Sequence, residues 1–429
     1  MCTTNRAPRW LLAGLAALLA GVGALAYVRA ARLKYDFHHF YLDAAYVWRH
    51  GTLNRDFANP DPAKRPQLPF YLPAVPLLLS PLTAGGVRPA AAMWTAGHLI
   101  ALAYSLRVMK RWGQSGAGPQ SGTAPLVAGT LLALPAIYEA ARFNQLSFVV
   151  LALVLAGVSA IERNRPLRAG AWLGLATALK LLPLVFALWL VLKRRWTALG
   201  MLLGTVLVVA LAPCLVVLGP RATVEHHRQW WEYNVRGAPA RGLLDARLRE
   251  HFLDHRNQSI SAVVARFAWS AHPHPAPLRL AALDERACRQ VALALSLLLL
   301  AGLVWLSRGC GAALGPRGLK GAALAACLRY EAAAYCLAML ILAPLLRTYY
   351  LVWALPGLVL LARQALDGSD RRTRRLGGLG LLVWLLGMLG WLSDAARACG
   401  VHLLMALALA GTLLALARAY SLRKITQAL

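Results

Sequence analysis

Acidic residues are scarce in this 429-residue chain: 17 Asp and Glu stand against 46 Lys and Arg, a formal net charge of +29. In a soluble protein that excess would point to nucleic acid. Here most of the basic residues lie in short stretches between long apolar runs, the pattern of positively charged loops on the cytoplasmic side of a membrane. No nucleic-acid partner is therefore expected. Seven cysteines (Cys2, Cys214, Cys288, Cys310, Cys327, Cys336, Cys399) form no Cys-x-x-Cys pair. That argues against a zinc ribbon, a dithiol redox motif and a disulfide framework. A Gly-rich phosphate loop of Walker or Rossmann type is missing, so a nucleotide-linked substrate bound from the cytosol has no support. Ten-residue alternating segments are missing too, which argues against a β-barrel. No internal repeat is visible.

What the chain has in quantity is apolar length. Hydrophobic residues make up 59%, the mean hydropathy is +0.53, and apolar runs of roughly 18–24 residues suit a hydrocarbon core of about 30 Å. The fold class read from this is an all-α polytopic membrane protein forming one integral-membrane domain over residues 1–429. The first apolar run, 10–31, follows Arg6 and Arg9. At about 20 residues it exceeds a signal-peptide core of 7–15, so an uncleaved anchor is expected. Threading the basic clusters inward gives outer loops at about 32–69 and 220–288 and a re-entrant or distorted Pro-rich stretch from Pro69 to Pro81. Residues 169–192 have basic clusters at both ends and Lys180 and Pro183 in the middle. The positive-inside bias then predicts two half-helices meeting at a Lys180–Pro183 turn.

The candidate chemistry gathers on the outer side of that threading. Asp36 and Asp43, seven apart, share a face if their segment is helical. A carboxylate half-buried under aromatics holds its proton more tightly and suits a general base. The alternative is an interfacial Asp capping a helix within an aromatic belt. Lys180 inside an apolar run must face a cavity or a partner, which suits a cation beside a phosphate leaving group, or else snorkels to the interface. Asn144-Gln145 and Asn257-Gln258-Ser259 with Arg266 offer hydrogen bonds to sugar hydroxyls or, equally, helix-end caps. His226-His227, His251–His255 and His38-His39 lack a completing carboxylate or thiolate, so no metal site is assigned.

The ordered set of motifs resembles glycosyltransferase family 87, polytopic enzymes of the GT-C superfamily that include polyprenyl-phosphomannose-dependent α-mannosyltransferases. The resemblance runs over about residues 10–365. It is carried by Asp36-Phe37 with Tyr41 and Ala44-Ala45, Tyr71-Leu72-Pro73 with Pro81, and Asn144-Gln145, where the family usually shows Gly-Gln. Gly170 and Gly174 with Lys180 and Pro183, Lys193-Arg194-Arg195-Trp196, and Asn257-Gln258-Ser259 with Arg266 complete it. It implies a GT-C-like bundle of about 10–12 transmembrane helices in the plasma (inner) membrane of a bacterium, its active site facing outward. It also implies a polyprenyl-phosphate-linked sugar donor, a hexose and by resemblance mannose, a glycolipid or glycan acceptor, membrane lipids as surroundings, and no cofactor. Asp36 would be the catalytic base of an inverting transfer, and Tyr41, Asp43, Tyr71, Asn144, Gln145, Lys180, Asn257, Gln258, Ser259 and Arg266 would contact substrate. One departure stands out. Where the family has Ser-Pro-x-x-Trp-x-His-His, this chain has Ala343-Pro344-Leu345-Leu346-Arg347-Thr348-Tyr349-Tyr350. Tyr349 or Tyr350 would then supply a hydrogen bond in place of an imidazole, and Arg347 would pair with phosphate.

Two rival readings share these features. An O-antigen ligase or polymerase would use a pyrophosphate-linked oligosaccharide. A lipid or sugar transporter would use the broken Lys180–Pro183 segment as a discontinuous helix and would show pseudo-symmetric halves.

Overall fold

The computed structural model describes residues 9–54, 70–113, 123–236, 253–311, 321–368 and 370–426. Apart from one isolated bridge between Trp269 and Leu283, the described residues are helices and their connections. Eight of these helices are long and apolar enough to cross a membrane. The all-α polytopic reading holds.

α1 (Arg9–Ala31) leads by a short link into α2 (Asp36–His50), then α3 (Ala74–Leu79) and α4 (Val87–Gly113). α5 (Thr123–Phe143), α6 (Ser147–Glu162), α7 (Pro166–Leu179), α8 (Val185–Leu192) and α9 (Trp196–Trp231) follow. After α10 (Ile260–Ala268) come α11 (Glu285–Gly311), α12 (Gly321–Ile341), α13 (Leu355–Asp367), α14 (Arg371–Leu389), α15 (Asp394–Ala398) and α16 (Val401–Thr426). Burial sorts them. The apolar windows of α12 and of the segment containing α13 are 83% buried, whereas those of α1, α9 and α11 are 17% buried. The first pair forms the core and the second group meets lipid. α4, which is less apolar, and α6, which has only 16 residues, nonetheless pack together within the bundle.

α2 is an amphipathic helix that lies against the bundle. Phe37, Phe40, Tyr41, Ala44, Ala45 and Val47 recur at helical spacing and are buried, while Leu42, Trp48 and Arg49 are exposed. Such a stripe drives a helix to lie on the bundle rather than to enter it. Gly51 ends it in the left-handed region (φ 63°), its N–H donating to the Val47 carbonyl at 2.8 Å.

The segment 166–192 turns back on itself. α7 stops at Leu179 because Lys180 is extended (φ −156°, ψ 122°), and a single 3-10 turn at Leu182–Leu184 opens α8. Arg195 Nη1 donates to Asn164 Oδ1 at 3.3 Å, so the two ends of the hairpin meet at the same end of the bundle. The half-helices are held by close packing. A Cβ on Gly174 would lie 2.6 Å from Thr205 Cβ, and one on Gly170 would strike the Ala198 carbonyl oxygen. These two glycines let α7 approach α9 at backbone distance, as small residues do between membrane helices.

The predicted loop from residue 220 begins as helix instead. Gly219 (φ 76°) and Pro220 kink α9, which then continues to Trp231. Residues 237–252 of that loop, and 55–69 of the first, lie outside the described residues.

Candidate active site

One end of the bundle collects the carboxylate, the cations and a run of aromatic rings. Asp36 is the first residue of α2 and Tyr35 is its N-cap, without a side-chain cap hydrogen bond. The carboxylate is therefore not serving as the cap. It sits part-buried, and burial pushes its pKa up to about 6, while the charges of His39, Lys180 and Arg347 pull against that rise.

Lys180 comes from the break between α7 and α8. Its extended backbone breaks the helical register, so the side chain leaves the hairpin tip and enters an aromatic cage. Nζ lies 4.0 Å from the Tyr350 ring centroid, 5.6 Å from that of Trp353 and 5.9 Å from that of Tyr71. Nζ also donates to Gln145 Oε1 at 3.3 Å. A part-buried ammonium within an apolar segment needs such partners, since both the ring faces and the amide oxygen present negative charge. Gln145 is fixed in turn, because His98 Nε2 lies 2.8 Å from its backbone oxygen.

The rings form a continuous ladder. Tyr35 meets Phe143 at 5.0 Å, Phe143 meets Tyr349 at 5.1 Å, Tyr349 meets Tyr350 at 4.5 Å, and Tyr350 stacks on Trp353 at 5.1 Å. Tyr71, Tyr349 and Tyr350 all lie within electrostatic reach of Asp36. The Tyr349-Tyr350 pair thus lies close to Asp36.

Arg347 reaches the cluster from the segment before α13, and its Nη1 donates to Asp254 Oδ2 at 3.2 Å. Burial opposes ionisation of Asp254, but the Arg256 backbone N–H and Arg347 outweigh it and hold that carboxyl below its usual range. The Asn257-Gln258-Ser259 and Arg266 group explains why this segment is fixed. Asn257 Oδ1 accepts from the backbone N–H groups of Leu346 and Ser259, both at 3.0 Å, and the Gln258 N–H donates to the Leu346 carbonyl at 2.8 Å. Arg266 is fully buried and donates to the carbonyls of Asn257 at 2.8 Å and Ala398 at 2.9 Å. Ser259 caps α10 by accepting from the Ala262 N–H.

Asp36, Tyr71, Gln145, Lys180, Arg347, Tyr349 and Tyr350 are therefore brought together. The other sequence candidates sit elsewhere or are otherwise engaged. Tyr41 packs in the apolar cluster of α2 with Phe37, Phe40 and Trp94. Asp43 is buried two turns further along α2, about 10 Å by helical rise, and is not among the charges acting on Asp36. Asn144 adopts φ 55° and donates to the Ala26 carbonyl at 3.1 Å, which makes it a turn residue tied to α1. The Asn257, Gln258, Ser259 and Arg266 group spends these hydrogen bonds on the protein and acts on Arg347 from behind.

Three contributors were not read from the sequence. Trp353 completes the Lys180 cage and donates from Nε1 to the Ser147 carbonyl at 3.0 Å. Asp254 holds Arg347. Glu139 is buried and lies within hydrogen-bond distance of Arg142 and the Thr348 hydroxyl. An acid near the end of an apolar span was the available signal for Glu139. Among the described residues no group of three or more His, Cys, Asp or Glu is placed to hold a metal ion.

The chain is similar to a polyprenol-phosphate-mannose-dependent α-(1-2)-phosphatidylinositol mannoside mannosyltransferase of Mycolicibacterium smegmatis, with 25% identity over 254 residues. That match covers 58% of this chain and 52% of the relative, so the chain spans about half the length of that curated protein. The crystal structure of ArnT from Cupriavidus metallidurans bound to undecaprenyl phosphate aligns at 18% identity over 94% of this chain and 78% of that one, with a TM-score of 0.37. Asp36 and the Arg347–Tyr350 segment lie outside residues 70–328, so their placement rests on the geometry above. Residues 70–328 themselves, more than half of the chain, match the family model, and the chain belongs to glycosyltransferase family 87.

Proposed function

We propose that this chain transfers a hexose from a polyprenyl-phosphate donor to a hydroxyl of a glycolipid or glycan acceptor, with inversion at the anomeric carbon. The observation that carries the reading is one carboxylate with a raised proton affinity within electrostatic reach of two cations, Lys180 and Arg347, with the Lys180 ammonium held against the Tyr350 ring. The acceptor oxygen attacks C1 of the sugar as Asp36 takes its proton. The C1–O bond to the phosphate breaks, and the electron pair leaves on polyprenyl phosphate. Lys180 and Arg347 offset the charge that develops there, an electrostatic role that gains strength away from water. Tyr71, Tyr349 and Tyr350 offer ring faces and hydroxyls to the sugar.

Three further points support the finer reading. The similar mycobacterial protein is named for a polyprenol-phosphate-mannose donor, which favours mannose here. The exposed Leu181 and Leu184 flank Lys180 at the hairpin tip and suit a hydrocarbon tail whose phosphate meets the ammonium. The basic clusters at Arg107–Arg111, Arg163–Arg168, Lys193–Arg195 and Arg371–Arg375 fall in connections that the charge pattern assigns to the inner side, and Asp36 falls in one that it assigns to the outer side, which favours an outward-facing site.

The test is reconstitution of the full chain in liposomes with polyprenyl-phosphate hexoses and an envelope glycolipid extract, followed by mass spectrometry of the products. Transfer by the wild-type chain and its loss in Asp36→Asn are expected. Full transfer by Asp36→Asn defeats the assigned base, and activity restricted to pyrophosphate-linked oligosaccharides identifies a ligase or polymerase instead. Movement of lipid between leaflets without a new glycosidic bond identifies a transporter.

A further inference from the structure

The positive-inside bias leaves one basic group unexplained, because it lies at the Asp36 end of the bundle. Arg29 closes α1, Arg142 closes α5, and Arg32 and Lys34 lie in the link between α1 and α2. The guanidinium carbons of Arg29 and Arg142 stand over the ring of Tyr35 at 5.3 Å and 5.6 Å. The Tyr35 hydroxyl accepts a hydrogen bond from Arg142, and the charges of Arg142, Arg29 and Lys34 all act on it. Two of these arginine nitrogens, Arg29 Nη1 and Arg142 Nε, are buried without a hydrogen-bond partner among the described residues. Glu139, 3.1 Å from Arg142 Nη1, is the carboxylate paired with the group.

The backbone beneath is strained. Tyr35 holds φ 57°, ψ −147° and Leu33 holds φ 48°, a left-handed region that non-glycine residues occupy at a cost and keep only where their surroundings impose it. The residue so imposed is the one before Asp36. Arginine in the last turn of a helix offsets the carbonyl dipole, but that accounts for each arginine singly and not for two helices aiming theirs at one ring.

We propose that Arg29, Lys34 and Arg142 form an anchor for the phosphate of an anionic lipid headgroup, and that the bound lipid locks Tyr35 and so presents Asp36. The ligand class follows from the chemistry. Guanidinium groups at a membrane interface pair with phosphate oxygens through paired N–H donors, α1 is apolar and little buried along its length, and the group carries more positive charge than Glu139 balances. The consequence for Asp36 rests on the function proposed above, whereas the lipid site itself does not.

The experiment is retention of lipid by the purified full chain, read by native mass spectrometry after exchange into nanodiscs holding equal phosphatidylglycerol and phosphatidylcholine. The wild-type chain is expected to retain phosphatidylglycerol selectively. Arg29→Gln/Arg142→Gln is expected to weaken that retention at least about tenfold, the loss that even one charge-assisted hydrogen bond would give, while Arg29→Lys/Arg142→Lys keeps most of it. Displacement of the lipid by inorganic phosphate, but not by chloride of equal ionic strength, further supports phosphate as the recognised group. Equal retention of the two lipids, unchanged retention in the Gln double variant, equal loss in the Gln and Lys variants, or equal displacement by chloride overturns the proposal. Asp36→Asn should retain lipid like the wild type, so failure of the anchor and failure of the assigned base are read separately.

Discussion

At the scale of single residues, Asp36 is placed where function and stability oppose each other. Its carboxyl titrates at about 6 in the fold against about 3.9 in an unfolded chain. A folded-state pKa above the unfolded one means that the native state binds the proton more tightly. Its contribution is then most favourable below about pH 4 and is lost as the pH rises through 6. The ionised form is the one a base requires, so kcat/KM should rise with pH through about 6 in a pH–rate profile, and Asp36→Asn should lower kcat about 10²–10⁴-fold. The same variant should melt at a higher temperature than the wild type at pH 7–8, with the gap closing as pH falls toward 4. Thermal unfolding in detergent across that range checks it, and a gap that widens toward low pH would contradict the assignment.

At the scale of elements, the proposed site depends on two structures that hold Lys180 and Arg347 in place. The first is the α7–α8 hairpin, which presents Lys180 because Gly170 and Gly174 let α7 lie against α9. Gly174→Leu should force α7 away from Thr205 and Leu202. Overpacking of this kind costs about 1–3 kcal/mol, so a lower Tm with a raised donor KM is the expected result in melting and kinetic assays. The second is the clasp around Arg266. Arg266→Met would leave the carbonyls of Asn257 and Ala398 without their donor, each at about 1–3 kcal/mol. Arg347 should then lose its fixed position, with donor KM rising more than acceptor KM. Loss confined to acceptor binding would contradict the clasp. Asn257, Gln258 and Ser259 could not be told from sugar ligands in the sequence, because an amide that caps a backbone and one that binds a hydroxyl are the same group.

At the scale of the whole molecule, sidedness is the open consequence of the charge pattern. With native cysteines replaced, Trp48→Cys on α2 should react with an impermeant thiol reagent applied to intact cells, and Arg165→Cys should react only after permeabilisation. The opposite pattern would turn the site toward the cytosol. By itself the sequence determined that the chain is an all-α membrane protein and that residues 169–192 fold back. Apolar run length and the sign of loop charge act locally, and the bilayer imposes them on each segment separately. It also pointed to Asp36 and Lys180, because ionisable groups beside or within apolar runs need a reason to be there. Tertiary structure alone decided which polar residues face one another. Lys180, Gln145, Tyr350 and Trp353 meet across separate segments, Arg347 is held by Asp254 from a distant loop, Tyr41 packs with Phe37, Phe40 and Trp94, and Asn144 sits in a turn bonded to α1. Those pairings follow from how helices cross, a property of the packed bundle that no single stretch of chain encodes.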